Sequence, residues 1–103
     1  MDTKKLYVDG QWIETGDTFT VINPGTKQPL AEVVSAGRDV AKQAVDSAAK
    51  AFPAWRRLTG MQRGDYLLAV ADCLRKRSEE IAETVTKENG KPLREGRGEV
   101  KVA

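Results

Sequence analysis

These 103 residues contain no histidine and a single cysteine, Cys73. The first absence removes the commonest zinc ligand and the commonest general base near neutral pH. The second excludes an internal disulfide. No stretch approaches the roughly eighteen apolar residues of a membrane span, and the opening MDTKKLYVDG lacks the apolar run of a signal peptide. A cytoplasmic protein without a membrane partner is the expectation. Seventeen Lys and Arg stand against fifteen Asp and Glu, a net charge of +2. Both signs are interspersed along the helical half, so no basic face for nucleic acid is expected. The length permits one domain with a modest core, short for an enzyme that must also hold a large cofactor.

What is present divides at residue 34. Residues 1–34 read as a β-hairpin region. LYVDGQWI places Asp9-Gly10 between two apolar-rich runs, the dipeptide that favours a two-residue turn with positive φ at both positions. That register sets Tyr7 opposite Trp12 and Leu6 opposite Ile13. TFTVI and PLAEVV suggest a second hairpin, joined through Asn23-Pro24-Gly25, where proline fixes φ and glycine is permissive. Residues 35–103 read as helical. Val40, Ala44, Val45, Ala48, Ala51, Phe52 and Trp55 recur at helical spacing after a Ser35 or Gly37 cap. Pro53 predicts an end or kink near Phe52, with Trp55 on an irregular turn. Thr59 and Gln62 have capping-box spacing for the next helix, whose predicted buried stripe is Leu67, Val70, Ala71 and Leu74. The stripe lapses near Arg77-Ser78 and resumes at Ile81, Ala82 and Val85, which fits two helices or one kinked helix. The last residues, LREGRGEVKVA, lack a closing glycine or proline and read as an interrupted helix. The expected class is α+β.

Candidate chemistry is thin. Gly90-Lys91 suggests a phosphate cradle, but such a loop lies between a strand and a helix and ends in Gly-Lys-Ser or Gly-Lys-Thr. Here a helix precedes it and Pro92 follows. Helix punctuation explains every residue: Gly90 in the left-handed position after one helix, Lys91 near its negative end, and Pro92 as the first residue of the next. Cys73 has no histidine to activate it and borders the apolar stripe, so a part-buried structural thiol is expected. Glu79, Glu80 and Glu83 read as a solvated face. Glu88 stands apart, placed by the helix end beside backbone carbonyls.

LYVDGQWI, TFTVINPGTKQPLAEV, AFPAW and ENGKPLREGRGEV, in this order and spacing, resemble the N-terminus of the NAD(P)-dependent aldehyde dehydrogenases over essentially the whole chain. The resemblance implies that residues 1–103 form the leading, incomplete part of an α/β coenzyme-binding domain. It also implies that the complete enzyme uses NAD or NADP to oxidise an aldehyde through a thiohemiacetal on cysteine. The nucleophile in its Gly-Gln-x-Cys setting, the base in its Glu-Leu-Gly-Gly-Lys setting, the oxyanion asparagine and the glycine-rich coenzyme turn have no counterparts here. No catalytic or coenzyme-contact residue carries over, and the chain alone is expected to be inactive. Several members bind sodium or potassium through carbonyls of the turn after the second strand and an acidic side chain just before Gly-Lys-Pro. The matching positions are Val21 or Ile22 and Glu88, where many members have aspartate; hard oxygen ligands suit such an ion. The expected partners are the remainder of the enzyme or a second copy of the chain, and the alternative function is a non-enzymatic interaction or oligomerisation module.

Overall fold

In the computed structural model, which describes all 103 residues, five strands precede four helices. The strands are β1 (Thr3–Lys4), β2 (Leu6–Val8), β3 (Gln11–Ile13), β4 (Thr18–Ile22) and β5 (Pro29–Val34). The helices are α1 (Arg38–Arg57), α2 (Gly60–Lys76), α3 (Ser78–Asn89) and α4 (Leu93–Val102). The chain is α+β, as its periodicities predict. Two compact units form: Met1–Val21 with Ala31–Thr59, and Ile22–Leu30 with Gly60–Ala103.

In the first unit, Asp9 and Gly10 take φ of 52° and 72°, the mirror-image turn whose twist matches that of paired strands. β2 and β3 therefore pair antiparallel with Leu6 opposite Ile13 and Tyr7 opposite Trp12. The two rings of the second pair lie 4.8 Å apart, tilted by 51°, a favourable edge-inclined geometry. β5 is central in a three-stranded sheet ordered β1-β5-β4. Ser35 N–H donates to the Asp17 carbonyl at 2.8 Å, and the Thr20 hydroxyl donates to Glu32, tying β4 to β5. The parallel pairing of Thr3 with Glu32 and Lys4 with Val33 was not visible in the sequence, because two residues are too few to show a period. The unit buries Ala31 and Val34.

Helix α1 corrects the expectation at Pro53. The helix runs through it to Arg57, and Trp55 is helical. Proline forfeits its own N–H bond and crowds the carbonyl of Ala49, a cost of about 3 kcal/mol in a helix interior. Ala48, Ala49, Ala51 and Ala54, the best helix formers, flank it and hold the helix on both sides. The N-cap is Gly37, with no side-chain cap, and the extended Leu58 closes the helix by donating to the Trp55 carbonyl at 3.2 Å.

In the second unit, α2 begins directly after Thr59, where the capping pattern places it. Arg77, at φ −106° and ψ 13°, divides α2 from α3, which settles the choice in favour of two helices. The expected burial of the α2 stripe is not met: Leu67 and Val70 are 63% and 55% exposed, and no α2 residue is buried. No element of the unit covers that face. The core lies instead between α3 and α4, where Ala82, Gly96 and Val100 are buried. A Cβ placed on Gly96 would stand 2.8 Å from the Ala82 carbonyl oxygen and 3.1 Å from the Thr86 hydroxyl, so only hydrogen fits.

Gly96→Ala is expected to destabilise the chain by about 1–3 kcal/mol, because the obstacle is backbone and cannot swing aside. Gly98→Ala, two residues on and facing open space, is expected to stabilise it by up to about 1 kcal/mol through helix propensity. Urea melts of the two variants beside the parent check both signs.

Candidate functional site

The junction from α3 to α4 is built by its glycine and proline. Gly90 takes φ 84° and ψ 4°, the left-handed conformation that ends α3, and its N–H donates to the Thr86 carbonyl at 2.8 Å. Pro92, expected as the first helical residue, is the N-cap of α4 instead. Its ψ of 145° is extended, and its carbonyl accepts from Glu95 N–H at 2.9 Å and Gly96 N–H at 3.1 Å. A residue whose carbonyl opens the helix while its ψ stays extended is the cap by definition. The Lys91 ammonium is paired with Glu99, and that hydrogen bond holds its pKa above the ordinary lysine range. The lysine thus braces the second helix, which is the punctuation its neighbours imply.

Pro24 lies against this junction. A Cβ on Gly90 would come within 2.8 Å of Pro24 Cγ, so the 23–28 turn and the end of α3 are in direct contact. The turn is set by Asn23, whose Oδ1 accepts from Gly25 N–H at 2.9 Å and Thr26 N–H at 3.3 Å. Its carbonyl accepts from Lys27 N–H at 2.8 Å. The left-handed residue is Lys27, at φ 62°, and Gly25 does not use its freedom. The asparagine side chain supplies the turn locally, so the positive φ is displaced to the residue that rejoins the strand.

Of the positions implied for a monovalent cation, Ile22 ends β4 two residues before Pro24, and Glu88 stands two residues before Gly90. Both belong to the second unit, on the two segments that the Pro24–Gly90 contact brings together, and both are exposed. Val21 is half-buried and belongs to the first unit. No three acidic, histidine or cysteine side chains gather into a metal-binding group. A carbonyl with one carboxylate is a donor set for a hard, weakly held ion and not for zinc.

The remaining candidates are engaged or exposed. Cys73, expected to be part-buried, is exposed on α2, because the face it borders has no cover. Glu80 forms a two-bond fork with Arg77, at 3.0 and 2.7 Å, and Glu83 lies 3.8 Å from Lys87. Glu79 receives Arg97 from α4, with Nε to Oε2 at 3.0 Å and a guanidinium nitrogen to Oε1 at 2.6 Å. No two of these carboxylates are arranged as an acid–base pair; each has its own cation.

Comparison with known proteins places the chain. Residues 12–103 match the model of the aldehyde dehydrogenase family, and the chain belongs to that family, corresponding to an N-terminal segment of it. Among curated relatives, malonate-semialdehyde dehydrogenase 2 of Shouchella clausii is 39% identical over 100 residues, 95% of this chain and 21% of that protein. The chain therefore spans about a fifth of the length of the curated relatives it matches. Among solved structures, 3,6-anhydro-L-galactose dehydrogenase in complex with NAP superposes with a TM-score of 0.92 at 30% identity, over 97% of this chain and 21% of that one. Betaine aldehyde dehydrogenase of Staphylococcus aureus in complex with NAD+ gives 0.89 at 28%, over 95% and 20%.

The bond between Glu79 and Arg97 was missed in the sequence. The two are 18 residues apart on different helices, beyond any helical spacing rule, and only the paired glycines of α4 hint that it packs closely. The hydrogen bond from Arg97 holds the Glu79 carboxyl below its ordinary value of 4.5. A depressed folded-state pKa gives stability that is present above the unfolded value and lost as pH falls through the folded one. The difference in melting temperature between the parent and Arg97→Gln is therefore expected to be largest near neutrality and to shrink as pH falls below 4.5. Both side chains are more than half exposed, so added salt should shrink the difference too. Thermal melts from neutral to acid pH at low and high salt check it.

Proposed function

We propose that this chain is the non-catalytic leading segment of an NAD(P)-dependent aldehyde dehydrogenase, with residues 1–34 and 35–103 as parts of one incomplete coenzyme-binding domain. The observation that carries the reading is the superposition of 97% of the chain on one fifth of a dehydrogenase bound to its nicotinamide ligand. In the complete enzyme the segment would support the coenzyme fold. The carbonyl of Ile22 or Val21 and the carboxylate of Glu88 would hold a sodium or potassium ion there, and the ion would supply fixed positive charge to the turn. A single unpaired cysteine suits a reducing compartment such as the cytoplasm. Aldehyde oxidation belongs to the complete protein, because a thiol nucleophile needs an activating base or a positive setting. This chain has no histidine to act as that base.

The purified chain, mixed with aldehyde and NAD, is expected to give no rise in absorbance at the reduced-nicotinamide band. Turnover that disappears on Cys73→Ser would overturn the assignment. For the cation, Glu88→Gln is expected to lower the melting temperature in potassium chloride and to leave it unchanged in choline chloride, because an ion that binds only the folded state stabilises it by mass action. An equal effect in both salts would leave Glu88 as an ordinary surface glutamate.

A further inference from the structure

The exposed face of α2 carries an apolar groove that the proposed function does not use. Tyr66, Val70, Cys73 and Leu74 line it from α2, and Arg77 and Ile81 close its end. Its volume is about 320 Å³. Beside it stands a ridge: Leu67 and Leu68 are 63% and 64% exposed. Ridge and groove lie on one helix, so the surface is complementary to itself when turned through a half rotation.

We propose that this face is a docking surface for a second copy of the chain, with α2 packed antiparallel on its twin about a twofold axis near Val70. Leu67 of each copy seats in the groove of the other beside Cys73, and Asp65 of each meets Arg75 of the other. The residue pairing follows from the sequence, since positions equidistant from Val70 face each other across an antiparallel helix pair. A twofold contact requires the same patch on both partners, which a helix bearing both ridge and groove provides.

Area points to a second copy. A folded monomer of 11.3 kDa exposes roughly 5,700 Å², whereas this chain exposes 8201 Å². The surplus is comparable with what each partner gives up in a large obligate interface, about 1,000–2,500 Å². α2 contributes to it with Tyr66, Leu67, Leu68 and Val70 all more than half exposed.

The test is sedimentation equilibrium of the full 103-residue chain, with Val70→Glu and Leu67→Lys beside it. The parent is expected to show dimer mass at about 100 µM and to dissociate with a Kd on the order of micromolar. Both variants should be monomers with unchanged helical circular dichroism, since neither side chain is buried in the protomer. Alkylation of Cys73 by N-ethylmaleimide gives an independent reading on the parent alone: protection should grow with protein concentration. A monomeric parent overturns the proposal and leaves the face to a different polypeptide. A dimer that survives both charged substitutions, or a thiol equally reactive at every concentration, overturns it as well. If a variant fails to fold, the alkylation series decides.

Discussion

Ala82 and Gly96 meet backbone to backbone, and the arrangement of the second unit follows from that contact. Ala82 is fully buried, and any side chain at position 96 would strike its carbonyl. Two helices that approach so closely fix the length of the connection between them, which Gly90 and Pro92 supply in three residues, 90–92. The left-handed turn at Gly90 then leaves just enough room for Pro24. Packing of two small residues therefore reaches, through one glycine, the turn that carries the candidate cation carbonyl. The approach also has a cost. The Thr86 hydroxyl is buried beside Gly96 without a hydrogen-bond partner, a penalty of about 1–3 kcal/mol that the α3–α4 contact must offset.

Charge does little of this holding. All eight ion pairs are at least partly exposed, and four of them join residues three or four apart on one helix. Such pairs contribute about 0.3–0.5 kcal/mol each. Two of them differ in kind, because they bridge separate segments of the second unit: Arg97 reaches Glu79 from α4 to α3, and Lys91 of the junction reaches Glu99. Arg97 presents a planar fork to a carboxylate, which selects one orientation of α4 on α3. These two bonds orient a packing that the buried small residues make possible.

Local features were legible in the sequence wherever the backbone had few alternatives. Asp9-Gly10 has one common hairpin geometry, so the turn and the Tyr7–Trp12 pairing both followed. Gly90 could only be a left-handed terminus. Pro53 misled because proline's cost is local, whereas the alanines around it act over several turns. Pro92 moved by one position because a cap and a first helical residue share the same fixed φ and differ only in ψ, which the sequence does not encode. Burial was the least legible property. Apolar spacing on α2 correctly marks a face made for contact, but the residues that would cover it are not in the second unit, and Cys73 is exposed for the same reason. The cation positions came from resemblance alone; the sequence holds no spacing rule that connects Ile22 to Glu88.

The distribution of burial explains why a chain with so small a core keeps regular helices. Its buried apolar residues are Ala31, Val34, Ala82 and Val100, all small, so hydrophobic transfer yields less here than in a domain filled with Leu and Phe. The larger apolar side chains, Phe52, Tyr66, Leu67 and Leu68 among them, lie outside on α1 and α2. A sequence that places small residues in its interior and large ones on its surface inverts the usual order for a self-contained domain. The inversion is coherent if small residues set the spacing between elements while large ones await another surface. On that view α3 and α4 form the fixed base of the second unit. α2, joined to α3 through Arg77 alone, is the element whose stability depends most on what is packed against it.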